Sequence, residues 1–362
     1  MSDKPRRRVA VVGATGVAGQ QFLVSLDGHP WFEVAALAAS PRSAGKRYRE
    51  AITGPTGQLR WGCEEPLPDA FASLTVDDAR ELDLGGVDLV FSAVESGEAR
   101  ALEERFAHHV PVVSTSSAFR YEDDVPILVP GVNLEHAALI KRQQRERGWK
   151  GFVAPIPNCT ASGLVIALAP LARRFGLEAV TMTSLQALSG AGRSPGVVGL
   201  DILDNVIPFI PEEEEKVQRE TRKILGRLDG ERIAPLDIPV AATCMRVAVR
   251  DGHTESVSAG LGRGASLEEV AEAMRAFGRE FTDRALPSAP PELLQVTDDP
   301  YRPQPRIERR LHDGMTTVVG RLRDDPVLRN GVRFVLLSHN TKMGAAKGAV
   351  LVAEYLVQQG LA

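Results

Sequence analysis

Asn158-Cys159-Thr160 stands between a strand-like apolar run, Phe152 to Pro157, and a helix-like run, Ala161 to Phe175. A cysteine at such a junction meets the unpaired N–H groups and positive dipole end of a helix, which favour thiolate over thiol. A thiolate is a nucleophile at neutral pH and suits covalent attack on a carbonyl carbon. The same spacing also fits a buried structural cysteine, so the reading depends on what else the chain supplies. Downstream, Arg246 and His253 stand seven residues apart in Met245-Arg-Val-Ala-Val-Arg-Asp-Gly-His253. A histidine titrates near working pH and can take a proton from a thiol or a hemithioacetal hydroxyl. An arginine offers a bidentate grip on a carboxylate. If Arg246 begins a strand and His253 follows its turn, both can face one cleft; taken singly, each fits a solvated strand edge or a surface turn.

Upstream, Val9-Ala-Val-Val-Gly13-Ala-Thr-Gly16-Val-Ala-Gly19 sets three glycines between a strand-like and a helix-like segment. Glycines there permit a tight turn, let backbone amides approach a pyrophosphate and allow close helix packing. The spacing is G-x-x-G-x-x-G, and its strand-loop-helix context points to a dinucleotide. An NAD site usually carries an acidic residue roughly 20 positions past the glycines, to hold the ribose 2′-hydroxyl. Here the second strand runs into Ala38-Ala39-Ser40-Pro41-Arg42-Ser43, with no acid. The hydroxyls of Ser40 and Ser43 and the Arg42 guanidinium suit a 2′-phosphate, which favours NADP(H).

The elements that must position these groups alternate through the first half. Strands are expected over Arg8–Val12, Glu33–Ala38, Val87–Val94 and Pro111–Ser114, with helices over Val17–Leu26 and Ser96–His109. Such alternation predicts an α/β fold with a doubly wound, parallel, Rossmann-like sheet. Residues 44–75, rich in Gly, Pro and Arg, read as an irregular insertion. Beyond Cys159, Met245–Val249 and Thr254–Leu261 flank a turn at Arg250–His253, and Met315–Leu322 and Val332–Ser338 are further strands. With a helix over Leu267–Phe277, they predict a second, α+β domain with a mixed or antiparallel sheet. Glu212–Glu215 reads as a solvated helix start, and Lys342–Val357 as a closing helix with a small apolar face.

The 362 residues favour two domains. A composition 43% hydrophobic and 25% charged, with net charge −4, is globular. No basic stripe follows Arg6-Arg7-Arg8, which argues against nucleic-acid and anionic-membrane partners. No apolar run is long enough to span a bilayer. Cys63, Cys159 and Cys244 form neither a metal-ligand spacing nor a disulfide framework, so no metal is expected and a reducing cytoplasm is.

Taken together, the chain resembles aspartate-β-semialdehyde dehydrogenase of the archaeal/fungal-like branch over nearly its whole length. The resemblance rests on Gly13-Ala-Thr-Gly16, Ser40-Pro-Arg-Ser-Ala-Gly-Lys46 and Ser116-Ser-Ala-Phe-Arg120. It continues through Pro157-Asn-Cys159-Thr160, Gln186-Ala-Leu-Ser-Gly-Ala-Gly192, Glu213-Glu-Glu-Lys216, Arg246-Val and Gly252-His253, in that order. The chain departs from the family at Ala161, where a second hydroxyl is frequent, and in Arg246-Val-Ala-Val, where Pro often stands third. Neither change removes a group with a chemical role.

The resemblance implies Cys159 as nucleophile, His253 as its acid/base partner and Gln186 as the residue orienting the acyl group. It implies Arg246 for the substrate α-carboxylate, Glu213 for its ammonium, and Arg120, Lys216 and Asn158 for phosphate. Gly13, Thr15, Gly16 and Val17 would cradle the pyrophosphate, with Ser189, Gly190 and Asn340 near the cofactor. It further implies a cofactor domain, residues 1–158, completed by a C-terminal helix within 340–362. Residues 159–339 would form the catalytic and oligomerisation domain of a homodimer or homotetramer. The implied reaction is NADPH-dependent reductive dephosphorylation of L-aspartyl-4-phosphate, a step towards lysine, threonine and methionine. A malonyl-CoA reductase of the same fold is the alternative, and Glu213 argues against it because a malonyl group has no ammonium. N-acetylglutamyl-phosphate reduction fits the Gln186 and Arg246 contexts less well, and a nucleotide sensor has no use for the Cys/Gln/Arg/His set.

Overall fold

Strand β1 (Arg7–Val12) is buried from Val9 onwards, as a strand covered on both faces must be. The computed structural model, which describes residues 5–192 and 199–362, places β1 centrally in a parallel sheet. Its order is β3-β2-β1-β4-β5-β6, with β2 Phe32–Ala39, β3 Val76–Asp78, β4 Leu89–Ser92, β5 Val112–Ser114 and β6 Val153–Pro155. Alternate residues serve the two faces. Val9 and Val11 pack in one cluster with Phe22, Leu23 and Val350, from the Val17–Leu26 and Ala346–Gln358 helices. Ala10 and Val12 pack in another with Leu102 and Phe106, from the Ser96–Ala107 helix. The last helix therefore returns to the first sheet, against the Val17–Leu26 helix and β5.

The Cys159–Phe175 helix is apolar nearly all round and buried from Thr160 to Leu171, as a helix held between two layers must be. Beyond it lies the second sheet, in the order β10-β7-β11-β14-β13-β12. Its strands are β7 (Leu177–Gln186), β10 (Val240–Arg246), β11 (His253–Leu261), β12 (Leu294–Val296), β13 (Thr317–Asp325) and β14 (Gly331–Ser338). A small hairpin, β8 (Arg227–Asp229) with β9 (Arg232–Ala234), stands apart. The α/β fold with a second, mixed sheet is thus as the strand pattern predicts.

One expectation is corrected. The runs around Arg250–His253 do not lie side by side, because β7 inserts between them: β10 pairs with it in parallel and β11 antiparallel. Arg246 accordingly ends a strand rather than beginning one. Gly252 does turn, with φ +94°, but the chain from Val247 first crosses the end of β7. There the Val247 amide donates to Gln186 O, and the Leu188 and Ser189 amides donate to Val249 O and Arg250 O. Those pairings replace a local hairpin ladder. Residues 44–75 are largely irregular, with short helices at Tyr48–Ala51 and Asp69–Ala72.

Candidate active site

The turn after β1 is built for close approach. Gly13 has φ +80°, a left-handed conformation that favours glycine, and a Cβ there would lie 2.4 Å from Ala93 O. The helix that follows starts at Gly16, whose absent side chain leaves the first-turn amides uncapped, a ready anion site. A cleft of about 1140 Å³ opens there, lined by Thr15, Gly16 and Val17 at one place and by Ser40, Arg42 and Ser43 at another. It also takes in Ser189, Gly190, Asn340, Arg120, Asn158 and Cys159. A cradle of backbone amides, a cationic end without a carboxylate and a cysteine in the same cleft fit a phosphorylated dinucleotide.

Asn158 caps the helix that carries the cysteine: its Oδ1 accepts from the Thr160 and Ala161 amides at 2.9 and 3.3 Å. Cys159 is the first helical residue, where the dipole supports negative charge. Its Sγ lies 3.2 Å from His253 Nε2. Burial pushes the thiol up to about 12, helped by Glu213 and opposed by Arg246, Arg120 and the Thr160 amide. Burial holds His253 down at about 3, with Arg246 and His339 acting in the same direction.

One rim of the second sheet brings the other groups together. Gln186 ends β7, Arg246 ends the parallel β10 directly beside it, and His253 begins the antiparallel β11 on the other side. Arg246 Nη1 donates to Ala187 O at 2.7 Å, leaving the rest of its guanidinium for a ligand. Glu213 reaches the rim from the Glu213–Ile224 helix, and its Oε1 accepts from Asn158 Nδ2 at 2.9 Å, Gln186 Nε2 at 3.0 Å and Thr160 Oγ1 at 3.3 Å. Asn340 ties the rim to the Leu188–Ala191 turn: its Oδ1 accepts from the Gly252 amide at 2.9 Å and its Nδ2 donates to Ser189 Oγ at 2.8 Å.

Known proteins resemble this chain over nearly its whole length. Residues 8–140 match the family described as "Semialdehyde dehydrogenase, NAD binding domain", and residues 168–343 match "Semialdehyde dehydrogenase, dimerisation domain". The aspartate-semialdehyde dehydrogenase of Methanothermobacter thermautotrophicus is 42% identical over 96% of this chain and 98% of its own. That of Saccharomyces cerevisiae is 40% identical over 98% and 99%. The chain belongs to the aspartate-semialdehyde dehydrogenase family. The Candida albicans member, solved with NADP, superposes with a TM-score of 0.88 at 38% identity, over 99% of this chain and all of the other.

Two positions read from the family resemblance are placed less simply than their motifs suggest. Arg120 is buried and already engaged: Nε donates to Ile156 O, Nη2 to Thr115 O and Nη1 to Glu220 Oε1. Lys216 pairs with Glu212 at 2.9 Å and does not line the cleft with Arg120.

Three features escaped sequence reasoning. Glu220 is fully buried beneath Arg120 and Asn158; in sequence it is one more acid on a charged helix. Lys46 and Arg60 add positive charge to the cleft from within the irregular insertion. Glu255, two residues past His253 on β11, is fully buried with neither carboxylate oxygen bonded. Burial and Glu213 raise it well above the usual carboxylate range. The alternation of β11 was the signal that it would face inward with His253. Among the described residues no three His, Cys, Asp or Glu side chains are placed to hold a metal, and no helix is long and apolar enough to cross a membrane.

Proposed function

We propose that this chain reduces L-aspartyl-4-phosphate to L-aspartate-β-semialdehyde at the expense of NADPH, releasing phosphate. The observation that carries this reading is the Cys159–His253 contact at 3.2 Å, set beside Arg246 and Glu213 at the edge of a dinucleotide cleft. Cys159 attacks the acyl carbon, the C–O bond to phosphate breaks, and a thioester forms. NADPH held in the cleft would supply the hydride. Collapse of the resulting hemithioacetal breaks the C–S bond and frees the aldehyde. Arg246 grips the α-carboxylate and Glu213 meets the ammonium. Gln186 orients the acyl group, Arg120 and Asn158 receive phosphate, and Lys216 joins them only by leaving its pair with Glu212 outside the cleft. Ser40, Arg42 and Ser43 choose NADP(H), with the pyrophosphate at Gly13, Thr15, Gly16 and Val17, and Ser189, Gly190 and Asn340 beside the nicotinamide.

In this reading residues 1–158 and the C-terminal helix form the cofactor domain, and 159–339 the catalytic domain. The latter joins copies as a homodimer or homotetramer in the cytoplasm. The reaction serves the synthesis of lysine, threonine and methionine. Its test is NADPH formation from L-aspartate-β-semialdehyde and NADP⁺, with and without phosphate. A rate that needs phosphate supports the reading. No rate, with NADPH oxidation on adding malonyl-CoA, overturns it.

A further inference from the structure

Two carbonyls of the turn after β1 are taken up by buried side chains. The Tyr48 hydroxyl donates to Ala14 O at 2.8 Å, and Gln20 Nε2 donates to Thr15 O at 3.1 Å. Tyr48 is fully buried and Gln20 nearly so. The amides left uncapped at the start of the Val17–Leu26 helix remain for an anion. Both clamps reach into the irregular insertion, residues 44–75. Tyr48 belongs to it, and Gln20 bonds to it twice: Nε2 donates to Arg60 O at 2.8 Å and Oε1 accepts from the Gly62 amide at 2.7 Å. Gln20 thus uses both ends of its side-chain amide to join one stretch of the insertion to the turn, and a buried amide left unbonded would be destabilising. The stretch is braced from its other side, where the Arg60 amide donates to Ile52 O at 2.7 Å and Thr53 pairs with Leu59. The Arg60 backbone is therefore fixed beside the turn. Its side chain is exposed, lines the cleft with Thr15, Gly16 and Val17, and makes no ion pair or hydrogen bond among the described residues.

From this placement we infer that Arg60 is the side-chain partner of the dinucleotide's pyrophosphate, held beside the phosphate turn by Gln20. This deepens the proposed reading and rests on it. Backbone amides at a helix start meet an anion with partial charges only. A pyrophosphate carries formal charge on both phosphates, which a guanidinium can neutralise while offering paired donors. The other cations of the cleft are engaged or stand with a different group. Arg120 gives its donors to Ile156 O, Thr115 O and Glu220. Lys46 Nζ donates to Arg42 O at 2.8 Å, which keeps it with Ser40, Arg42 and Ser43. Glu95 is the only acid among the described residues that line the cleft. The cleft thereby divides its work. Ser40, Arg42 and Ser43 face the 2′-phosphate, which NADP(H) alone possesses, and Arg60 faces the pyrophosphate, which NAD(H) shares. Gln20 does not line the cleft and is a positioning residue, acting through the main chain of Thr15 and Arg60.

The test is calorimetric titration of the full chain with NADP⁺, with NAD⁺, and with adenosine 2′-monophosphate, which has the 2′-phosphate and no pyrophosphate. Arg60→Ala should weaken NADP⁺ and NAD⁺ alike, each by about tenfold, and leave adenosine 2′-monophosphate unchanged. Arg60→Lys keeps the charge and loses the fork, so its dinucleotide affinities should fall between those of Arg60→Ala and the parent. Gln20→Ala should weaken both dinucleotides, and should add little to the loss when Arg60 is already Ala. A loss confined to NADP⁺ and adenosine 2′-monophosphate, an equal loss with all three ligands, or no loss with Arg60→Ala would each overturn the inference. Parent protein that binds neither dinucleotide would overturn it together with the proposed reaction. Parent binding with an unaffected Arg60→Ala would overturn it alone and leave that reaction standing.

Discussion

Glu220 holds Arg120 and the turn into the catalytic helix at once. One of its oxygens accepts from Arg120 Nη1 at 3.0 Å and the other from the Asn158 amide at 2.6 Å. Both members of the ion pair are buried. Removing one member of such a pair leaves the other charge unpaired, a loss of roughly 3–5 kcal/mol. Glu220→Ala should therefore lower the unfolding free energy from urea titration by that order, and raise the KM for phosphate more than it lowers kcat. A variant as stable as the parent would show that the pair does not hold this corner together.

Cys159→Ala should abolish turnover and leave NADP⁺ binding unchanged, since the cleft keeps Thr15, Arg42 and Ser189. The pair of measurements is steady-state rate and cofactor titration. Residual turnover at a tenth of the parent rate would rule out a covalent route.

The parallel sheet, the glycine turn and the cysteine at a helix start were legible because each follows from local pattern: apolar runs, glycine spacing and a strand-like run passing into a helix-like one. What was not legible came from pairing between distant segments. The sequence at Arg250–His253 reads as a turn between two strands, and only the insertion of β7, whose Gln186 lies opposite Arg246, shows the chain crossing a strand end first. That crossing is what sets Arg246, Gln186 and His253 on one rim. Glu220 was hidden for a similar reason, because its partners lie 62 and 100 residues away.

Cofactor choice should follow the cationic end of the cleft. Arg42 is exposed there beside Ser40 and Ser43, and a charge-assisted hydrogen bond contributes about 1.5–3 kcal/mol. Arg42→Ala should raise the KM for NADPH on the order of 10- to 100-fold and leave kcat/KM with NADH nearly unchanged. An equal loss with both cofactors would place the 2′-phosphate elsewhere, with Lys46 and Arg60 the next residues to change.

Stability should depend on pH through Glu103. Its carboxylate is fully buried, with Oε1 accepting from Ser92 and Ser114 and Oε2 unpartnered. Burial raises it from 4.5 to about 7, against the two hydroxyls and Arg120. The folded state thus holds a proton that the unfolded chain releases at lower pH. This contribution is full below the unfolded value and fades as pH rises through 7, a change of about 3 kcal/mol. Glu103→Gln keeps the neutral shape and cannot ionise. The variant should therefore gain stability relative to the parent between pH 5 and 8 in urea titrations. A constant difference across that range would mean that Glu103 is ionised in the fold.

Gly190 sits where the Leu188–Ala191 turn meets the rim that carries Arg246 and His253. A Cβ there would come within 3.0 Å of Arg246 Nη1 and 3.1 Å of His253 Cε1, tighter than ordinary van der Waals contact. Neither neighbour can yield freely. Arg246 is held by Ala187 O, and His253 by the Ala187 amide and Cys159. The loop is held as well, through Ser189 to Asn340. Gly190→Ala should therefore displace the carboxylate grip or the histidine by a few tenths of an ångström, and misplacement on that scale near reacting atoms costs catalysis. The expected result is a fall in kcat/KM of about tenfold or more, with the urea midpoint little changed because the loop lies at the cleft surface. Unaltered kinetics would show that the rim relaxes around the added methyl, and that the close packing at Gly190 does not set the position of His253.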